Sequence, residues 1–465
     1  MPQSDVKRYL PWVVAAALFM EQLDSTIVNT AVPAMALSLQ VTPLSLKAVV
    51  TSYILSLAVG IPLSGWVADR YGTRRVFSLA VITFTLASML CGMAVNVPML
   101  VAARVLQGLG AALMLPVGRI TIVRTFPKSE LLSAMNFVII PALIGPLLGP
   151  LVGGLIVHWL SWRVIFFVNI PVGLMALYLS QRFMPNYYGE IQRPLDIVGL
   201  ILFCSGTALL SWLLEIFGQH ELGTNAIVAL FAVSMALLVA YCFHAKDYAY
   251  PLLNLVLFKI RTFRVSVAGG FVTRLGMGAI PFLLPLLYQL GLGLPAWQSG
   301  LLMMPSALAA MGMKMIATRI LAMFGYRRIL IANTLMIGCA ISSFAIITPA
   351  TPLAVIVLLS FTMGFFNSLQ FTCMNSMAYA DIQPADSSMA STIASSLQQL
   401  SMSFGLACGL LLTSWFLGAL PQSDHAAILG ALHHAFICMG VITALSALTF
   451  SSLDVRDGEN VSRAH

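Results

Sequence analysis

The chain has 465 residues, of which 59% are hydrophobic and only 9% charged, and its mean hydropathy is +0.94. Soluble domains carry roughly 25% charged residues, so a soluble globular fold is excluded and most of this surface must face lipid or other helices. The net charge of +8 fits a nucleic-acid partner in principle, but the placement of the basic residues explains it differently, as shown below. All seven cysteines lie inside apolar stretches and no two form a CxxC; they read as small core residues, with no disulfide and no metal expected.

In chain order, the apolar runs predict fourteen helices, near 10–37, 46–68, 76–94, 98–122, 132–158, 163–184, 194–216, 222–245, 264–290, 297–321, 328–348, 352–378, 388–419 and 426–452. Each is close to the roughly 20 residues that span a bilayer. The alternating segments of a membrane barrel are absent. The expected class is therefore an all-α polytopic membrane protein. The first run is too long for a signal peptide, carries two carboxylates and lacks a cleavage site of small residues.

An even helix number puts both termini on one side. Nearly all of the 24 Lys and Arg fall in the loops and tails of that side, among them Lys7, Arg8, Arg70, Arg74, Arg75, Arg124, Lys128, Arg327 and Arg328. Lys47 and Arg163 lie opposite, and Arg104 and Arg274 fall within helices. The positive-inside rule makes both termini cytoplasmic in a bacterial inner membrane. The basic balance then reflects topology and needs no nucleic acid. The loop holding Asp381 and Asp386 departs from the pattern by having no Lys or Arg. The longest connection, around Asn186 to Pro194, leaves no room for a soluble catalytic domain, and the polar tail from Asp454 is expected to be disordered.

Tyr71-Gly72-Thr73-Arg74-Arg75-Val76 recurs as Phe324-Gly325-Tyr326-Arg327-Arg328-Ile329, at an offset of 253 residues. Both copies join two helices on the same side. Two six-helix halves fall short of that offset, and helices seven and eight supply the excess. The expected organisation is a six-helix bundle over 1-190, a two-helix insert over 191-247, a second six-helix bundle over 248-453 and a tail over 454-465. Parallel halves of this kind point to alternating access around a midplane site.

Glu21 lies about 16 Å into the first helix at 1.5 Å per residue, which is the bilayer midplane, and Asp24 shares its face three residues on. A charge there costs at least about 2.5–3.5 kcal/mol on insertion scales. Carboxylates kept at that cost suit a proton carrier; the plainer reading is a salt bridge to an intramembrane arginine. The repeat offset carries Glu21 onto Arg274, so the two rare charges are expected at equivalent positions of the first and ninth helices and could pair. Gly145, Gly149 and Gly153 recur every fourth residue, a small-residue stripe that lets backbones approach, with Pro146 and Pro150 adding kinks. The plainer reading is tight packing alone.

Four motifs in order resemble the major facilitator superfamily in its fourteen-helix drug:proton antiporter branch, and within it the MdtD-like and HsrA-like multidrug exporters. They are Leu23-Asp24-Ser25-Thr26-Ile27-Val28-Asn29-Thr30-Ala31-Val32-Pro33 in the first helix, Gly65-Trp66-Val67-Ala68-Asp69-Arg70-Tyr71-Gly72-Thr73-Arg74-Arg75 in a loop, Arg104-Val105-Leu106-Gln107-Gly108-Leu109-Gly110, and Gly145 to Gly154. Trp162 to Pro171 also matches the branch. The resemblance implies two six-helix bundles plus two extra central helices. It implies that Arg104 lies near the acidic pair, that Gly145 to Gly154 marks antiport rather than symport, and that Gly65, Asp69, Arg70, Gly72 and Arg74 form a conformational lock, Asp69 facing a helix N-terminus. Close relatives tend to have Gln at position 21, so Glu21 leaves the proton stoichiometry open.

The expected function is proton-coupled export of small lipophilic or cationic compounds, with Asp24, Glu21 and Arg104 coupling the proton. Asn29, Arg274, Gln398 and Gln399 are candidates for the substrate cavity. Partners are a small-molecule substrate, protons and the lipid bilayer, the chain acting as a monomer. No cofactor is expected beyond the proton gradient. Enzyme activity is not expected, since no metal cluster, nucleophile–base set or Walker sequence stands out. An exporter or importer of one metabolite, such as an amino acid or siderophore, and a transport-dead sensor are the competing readings, because fold does not fix function.

Overall fold

The computed structural model describes residues 3–189, 194–216, 224–383, 386–418, 420–422, 424–454 and 457. The described residues are helices joined by short connections, with no strand among them. Among the described residues, twelve helices are long and apolar enough to cross a bilayer, where fourteen spans are expected for the whole chain. The expected first and fifth spans are the two not among them. In the first, Glu21, Gln22 and Asp24 interrupt the apolar run. The fifth lies in the apolar helix Lys128–Trp159, of which the segment Ile144–Trp159 is described with all its side chains.

The chain divides into two compact units, Met1–Ile197 and Val198–His465. The first holds α1 (Gln3–Leu39), α2 (Lys47–Gly60), α3 (Leu63–Tyr71), α4 (Thr73–Gly92), α5 (Val97–Thr125), α6 (Lys128–Trp159), α7 (Val164–Phe167) and α8 (Asn169–Phe183). An apolar cluster fills much of its core, with Phe77, Phe84, Val117 and Met114 fully buried beside Val13 and Ala17 of α1. Glycines set the closest approaches. A Cβ at Gly108 of α5 would lie 2.5 Å from the Tyr53 carbonyl of α2, and one at Gly110 would lie 2.8 Å from the Phe84 nitrogen of α4. These two neighbours clasp α5 and bring Arg104 between them.

The second unit holds α9 (Ile197–Ile216), α10 (Thr224–Asp247), α11 (Arg261–Arg264), α12 (Gly270–Gly278), α13 (Ile280–Leu286), α14 (Ala296–Phe324), α15 (Tyr326–Ser343), α16 (Leu353–Ala378), α17 (Ser387–Leu417), α18 (His425–Leu445) and α19 (Ala447–Phe450). α9 and α10 pack on one another: Ser234 Oγ donates to the Gly206 carbonyl at 2.8 Å and Phe203 meets Tyr241 at 5.4 Å. α11, α12 and α13 form one span, Arg261–Gly291, with π-helical turns at Val265–Gly269 and Leu287–Gly291. Such turns are rare and cluster at functional sites.

The repeated hexapeptide keeps its backbone in both copies. Gly72 has φ +91° and Gly325 φ +74°, conformations that side chains with a Cβ rarely adopt. The tail is not loose where it is described. Asp457 accepts from Arg261 Nη2 at 2.6 Å and from the Asp454 backbone N–H at 2.8 Å. The rest of the tail lies outside the described residues, as do 190–193 and 217–223 of the expected insert.

Candidate functional site

Glu21 is the midpoint of α1, a helix of 37 residues. Its rotation is fixed by α6. A Cβ at Gly145 would lie 2.9 Å from the Leu23 nitrogen, one at Gly149 would strike Thr26 Oγ1, and one at Gly153 would lie 2.7 Å from the Ile27 carbonyl. The small-residue stripe therefore seats the Gln22–Thr26–Thr30 ridge of α1 against bare backbone. That contact leaves the adjacent face, with Glu21 and Asp24, to α2, α5 and α8.

Asp24 is fully buried, and both of its oxygens are taken. Arg104 Nη1 donates to Oδ2 at 2.6 Å. Gln107 Nε2 and Asn169 Nδ2 donate to Oδ1 at 2.9 and 2.7 Å. The partners are themselves held. Arg104 Nη1 also donates to Gln107 Oε1 at 2.8 Å, and its Nε donates to the Val49 carbonyl at 3.2 Å. Asn169 Nδ2 donates to Ser88 Oγ at 2.9 Å, and Ser88 donates on to the Phe166 carbonyl at 2.8 Å. The Arg104 guanidinium rests 4.1 Å from the centroid of the Tyr53 ring, within cation–π range. Four helices thus converge on one carboxylate, and desolvation of the two charges is offset by hydrogen bonds on nearly every polar edge.

Glu21, one turn before Asp24, is only 5% exposed, and its Oε2 has no hydrogen-bond partner among the described residues. The Tyr53 hydroxyl and Asn29 Oδ1 are likewise buried and unpartnered there. An unsatisfied buried carboxylate oxygen costs desolvation energy with no return. Glu21 therefore has capacity for a proton or a cationic ligand that Asp24, with its oxygens occupied, does not.

The sequence motifs bring Asp24 and Arg104 together as the resemblance implied. Gln107, Asn169, Ser88 and Tyr53 were not singled out by sequence. Gln107 follows Arg104 by three residues in one motif, and Asn169 stands in the Trp162 to Pro171 stretch, so each had a motif to mark it. Nothing in the sequence marks Ser88 or Tyr53. In the second unit, Arg274 is 7% exposed, and Gln398 and Gln399 are half-buried on α17. No hydrogen bond joins Arg274 to either glutamine among the described residues.

The loop motif is tied down within its own unit. Within its own unit Asp69 pairs with Arg124 Nη2 at 2.9 Å, and its backbone carbonyl accepts from the Gly189 N–H at 2.9 Å. The strand-like strap 185–189 lies across this end of the unit. Thr73 Oγ1 donates to the Pro185 carbonyl at 3.1 Å, the Thr73 N–H donates to the Tyr187 carbonyl at 3.0 Å, and the Arg74 N–H donates to Asn186 Oδ1 at 3.0 Å. A Cβ at Gly72 would collide with Asn186. Gly65 has open space around it, and Arg70 stacks over Trp66 at 5.8 Å. Among the described residues no group of three or more His, Cys, Asp or Glu could hold a metal ion.

Residues 14–406 match the Major Facilitator Superfamily. The chain belongs to that superfamily. It is a multi-pass membrane transporter, a class distinct from enzymes. Relatives that carry the provisional name multidrug resistance protein MdtD are similar along nearly the whole chain. That of Serratia proteamaculans (strain 568) is 40% identical over 440 residues, covering 95% of this chain and 92% of the relative. That of Salmonella typhimurium is 39% identical over 470 residues, covering 99% and 98%. Among solved structures, a D-xylose-proton symporter aligns with a TM-score of 0.70 at 18% identity, over 97% of this chain and 98% of that one. A bacterial homolog of the human lysosomal transporter Spinster aligns with a TM-score of 0.68 at 13% identity, over 98% of each. Both likenesses bear on the fold alone.

Proposed function

We propose that this transporter is a proton-coupled antiporter that exports small lipophilic or cationic compounds by alternating access. It works as a monomer in a bacterial inner membrane with both termini in the cytoplasm, using the proton gradient and no cofactor. Its halves are 1-190 and 248-453, with 191-247 as an added helical pair. The observation that carries the reading is the contrast within α1. Asp24 is consumed by three donors, while Glu21, one turn away at the helix midpoint, is buried with an oxygen that has no partner among the described residues. A proton and a substrate cation compete for Glu21, and Asp24 holds Arg104 as the fixed charge beside it. The name carried by the relatives supports drugs as the cargo.

The energetics are adequate. A potential of 100 mV is worth about 2.3 kcal/mol per charge, which at about 1.4 kcal/mol per tenfold supports roughly a 50-fold gradient of a neutral substrate per proton. A monocation exchanged for one proton gains nothing from the potential and draws on the pH difference alone.

The test is pH-sensitive fluorescence in energised everted vesicles, with lipophilic cations, amino acids and siderophores added in turn. Lipophilic cations are expected to collapse part of the pH gradient. A response confined to amino acids or siderophores would assign a metabolite transporter instead, and no response to any class would favour a transport-dead sensor.

A further inference from the structure

The second unit contains a buried cation that its own bundle cannot neutralise. The helices covering 261–291, 296–324, 326–343, 353–378, 387–417 and 425–450 contain no Asp or Glu. Arg274 lies in the middle of the first of these and is 93% buried by its 7% exposure. No ion pair or hydrogen bond reaches its guanidinium among the described residues; its one contact of that kind is the Phe371 ring, 5.7 Å from the centroid. A guanidinium does not give up its proton in proteins, so it stays charged, and a buried charge without a partner is expensive.

The surroundings of Arg274 are shaped rather than incidental. The side chain folds back along α12 over Gly270, where a Cβ would lie 2.8 Å from Nη1 and 2.9 Å from the Met374 sulfur. A Cβ there would have to push aside the guanidinium or the thioether, the mobile ends of two side chains that meet over the bare glycine between α12 and α16. On α16, Asn367 and Asn375 stand one turn before and after Phe371, on the same helical face, and both are half-buried. Phe371 itself is 38% exposed, so the guanidinium sits just beneath an accessible aromatic surface. The combination is a fixed cation, a ring, a thioether and two amides, with no competing acid.

We infer that Arg274, Phe371, Asn367 and Asn375 form a subsite for the anionic group of an amphipathic substrate, a carboxylate attached to an aromatic or aliphatic body. The guanidinium fork matches a carboxylate bidentately, the ring and Met374 take the apolar part, and the amides supply further donors. This deepens the proposed export function by adding amphipathic anions and zwitterions to its cargo.

Binding to the purified full chain in detergent, with no gradient imposed, separates this inference from proton coupling. Failure of coupling in vesicles would leave the binding result standing, and the reverse also holds. The probes are 2-naphthoate, 2-naphthamide and (2-naphthylmethyl)trimethylammonium. Wild-type protein binds 2-naphthoate, and Arg274→Gln weakens it by about tenfold while changing the other two by less than about twofold. If Arg274→Gln does not yield folded protein, Arg274→Lys carries the test: it keeps the charge and loses the fork, so 2-naphthoate weakens and 2-naphthamide does not. The inference is overturned if wild type does not bind 2-naphthoate, if the folded variant binds it unchanged, or if all three probes weaken equally.

Discussion

Asp24 and Glu21 share a face of one helix and have opposite surroundings. Asp24 is a fixed anion. Its donors come from α5 and α8, and Arg104 depends on it for charge compensation, since the other bonds of that guanidinium go to the neutral Gln107 and the Val49 carbonyl. Breaking one partner out of a buried ion pair costs about 3–5 kcal/mol because the other charge remains. Asp24→Asn is therefore expected to lower the thermal stability of the purified protein markedly, read as earlier loss of monodispersity on heating. Sequence reasoning found both carboxylates and Arg104, because a charge inside an apolar run of twenty residues stands out. It gave the coupling role to Asp24, Glu21 and Arg104 together. The difference in their surroundings was not legible, since which oxygens are occupied depends on helix rotations that no periodicity in an almost uniformly apolar chain encodes.

At the scale of elements, α6 works as a smooth rail for α1. The glycine stripe was legible from its spacing of four, and the ridge it receives, Gln22, Thr26 and Thr30, was not. Gly149 is the tightest test of this contact. Gly149→Ala places a methyl group against Thr26 Oγ1, an overpacking worth about 1–3 kcal/mol, and is expected to lower the melting temperature. Gly312→Ala, on α14 where nothing lies within 4 Å of the added carbon, is expected to leave it unchanged or raise it slightly, as helix propensity favours Ala over Gly. Equal effects of the two would show that the stripe does not set the α1–α6 distance. The loop motif was legible as a tight turn at Gly72, and its partners within the unit were not. Asp69 pairs with Arg124 in the same unit, and the strap 185–189 is held across the turn by backbone hydrogen bonds that carry no sequence signature.

For the whole molecule, composition alone excluded a soluble fold and the run lengths located the helices to within a few residues, because lipid leaves few alternatives to a helix of about twenty apolar residues. Among the described residues the first expected span falls short in hydropathy, because it carries Glu21, Gln22 and Asp24. The internal repeat, drawn from six residues, is matched by the shared positive φ of Gly72 and Gly325. The same offset that links those glycines links Glu21 and Arg274, the two buried charges left without ion-pair partners among the described residues of their own units. Each half thus carries one such buried ionisable side chain, an acid in the first and a base in the second.

The central claim is that Glu21 exchanges the proton. The direct measurement is proton movement on adding a transported lipophilic cation to proteoliposomes holding either wild-type protein or Glu21→Gln, both verified as folded. Wild type is expected to move protons across the membrane in the direction opposite to substrate, and Glu21→Gln to bind the cation more weakly and move no protons in response. Substrate-driven proton movement at the wild-type rate in Glu21→Gln would contradict the account and return the coupling role to Asp24.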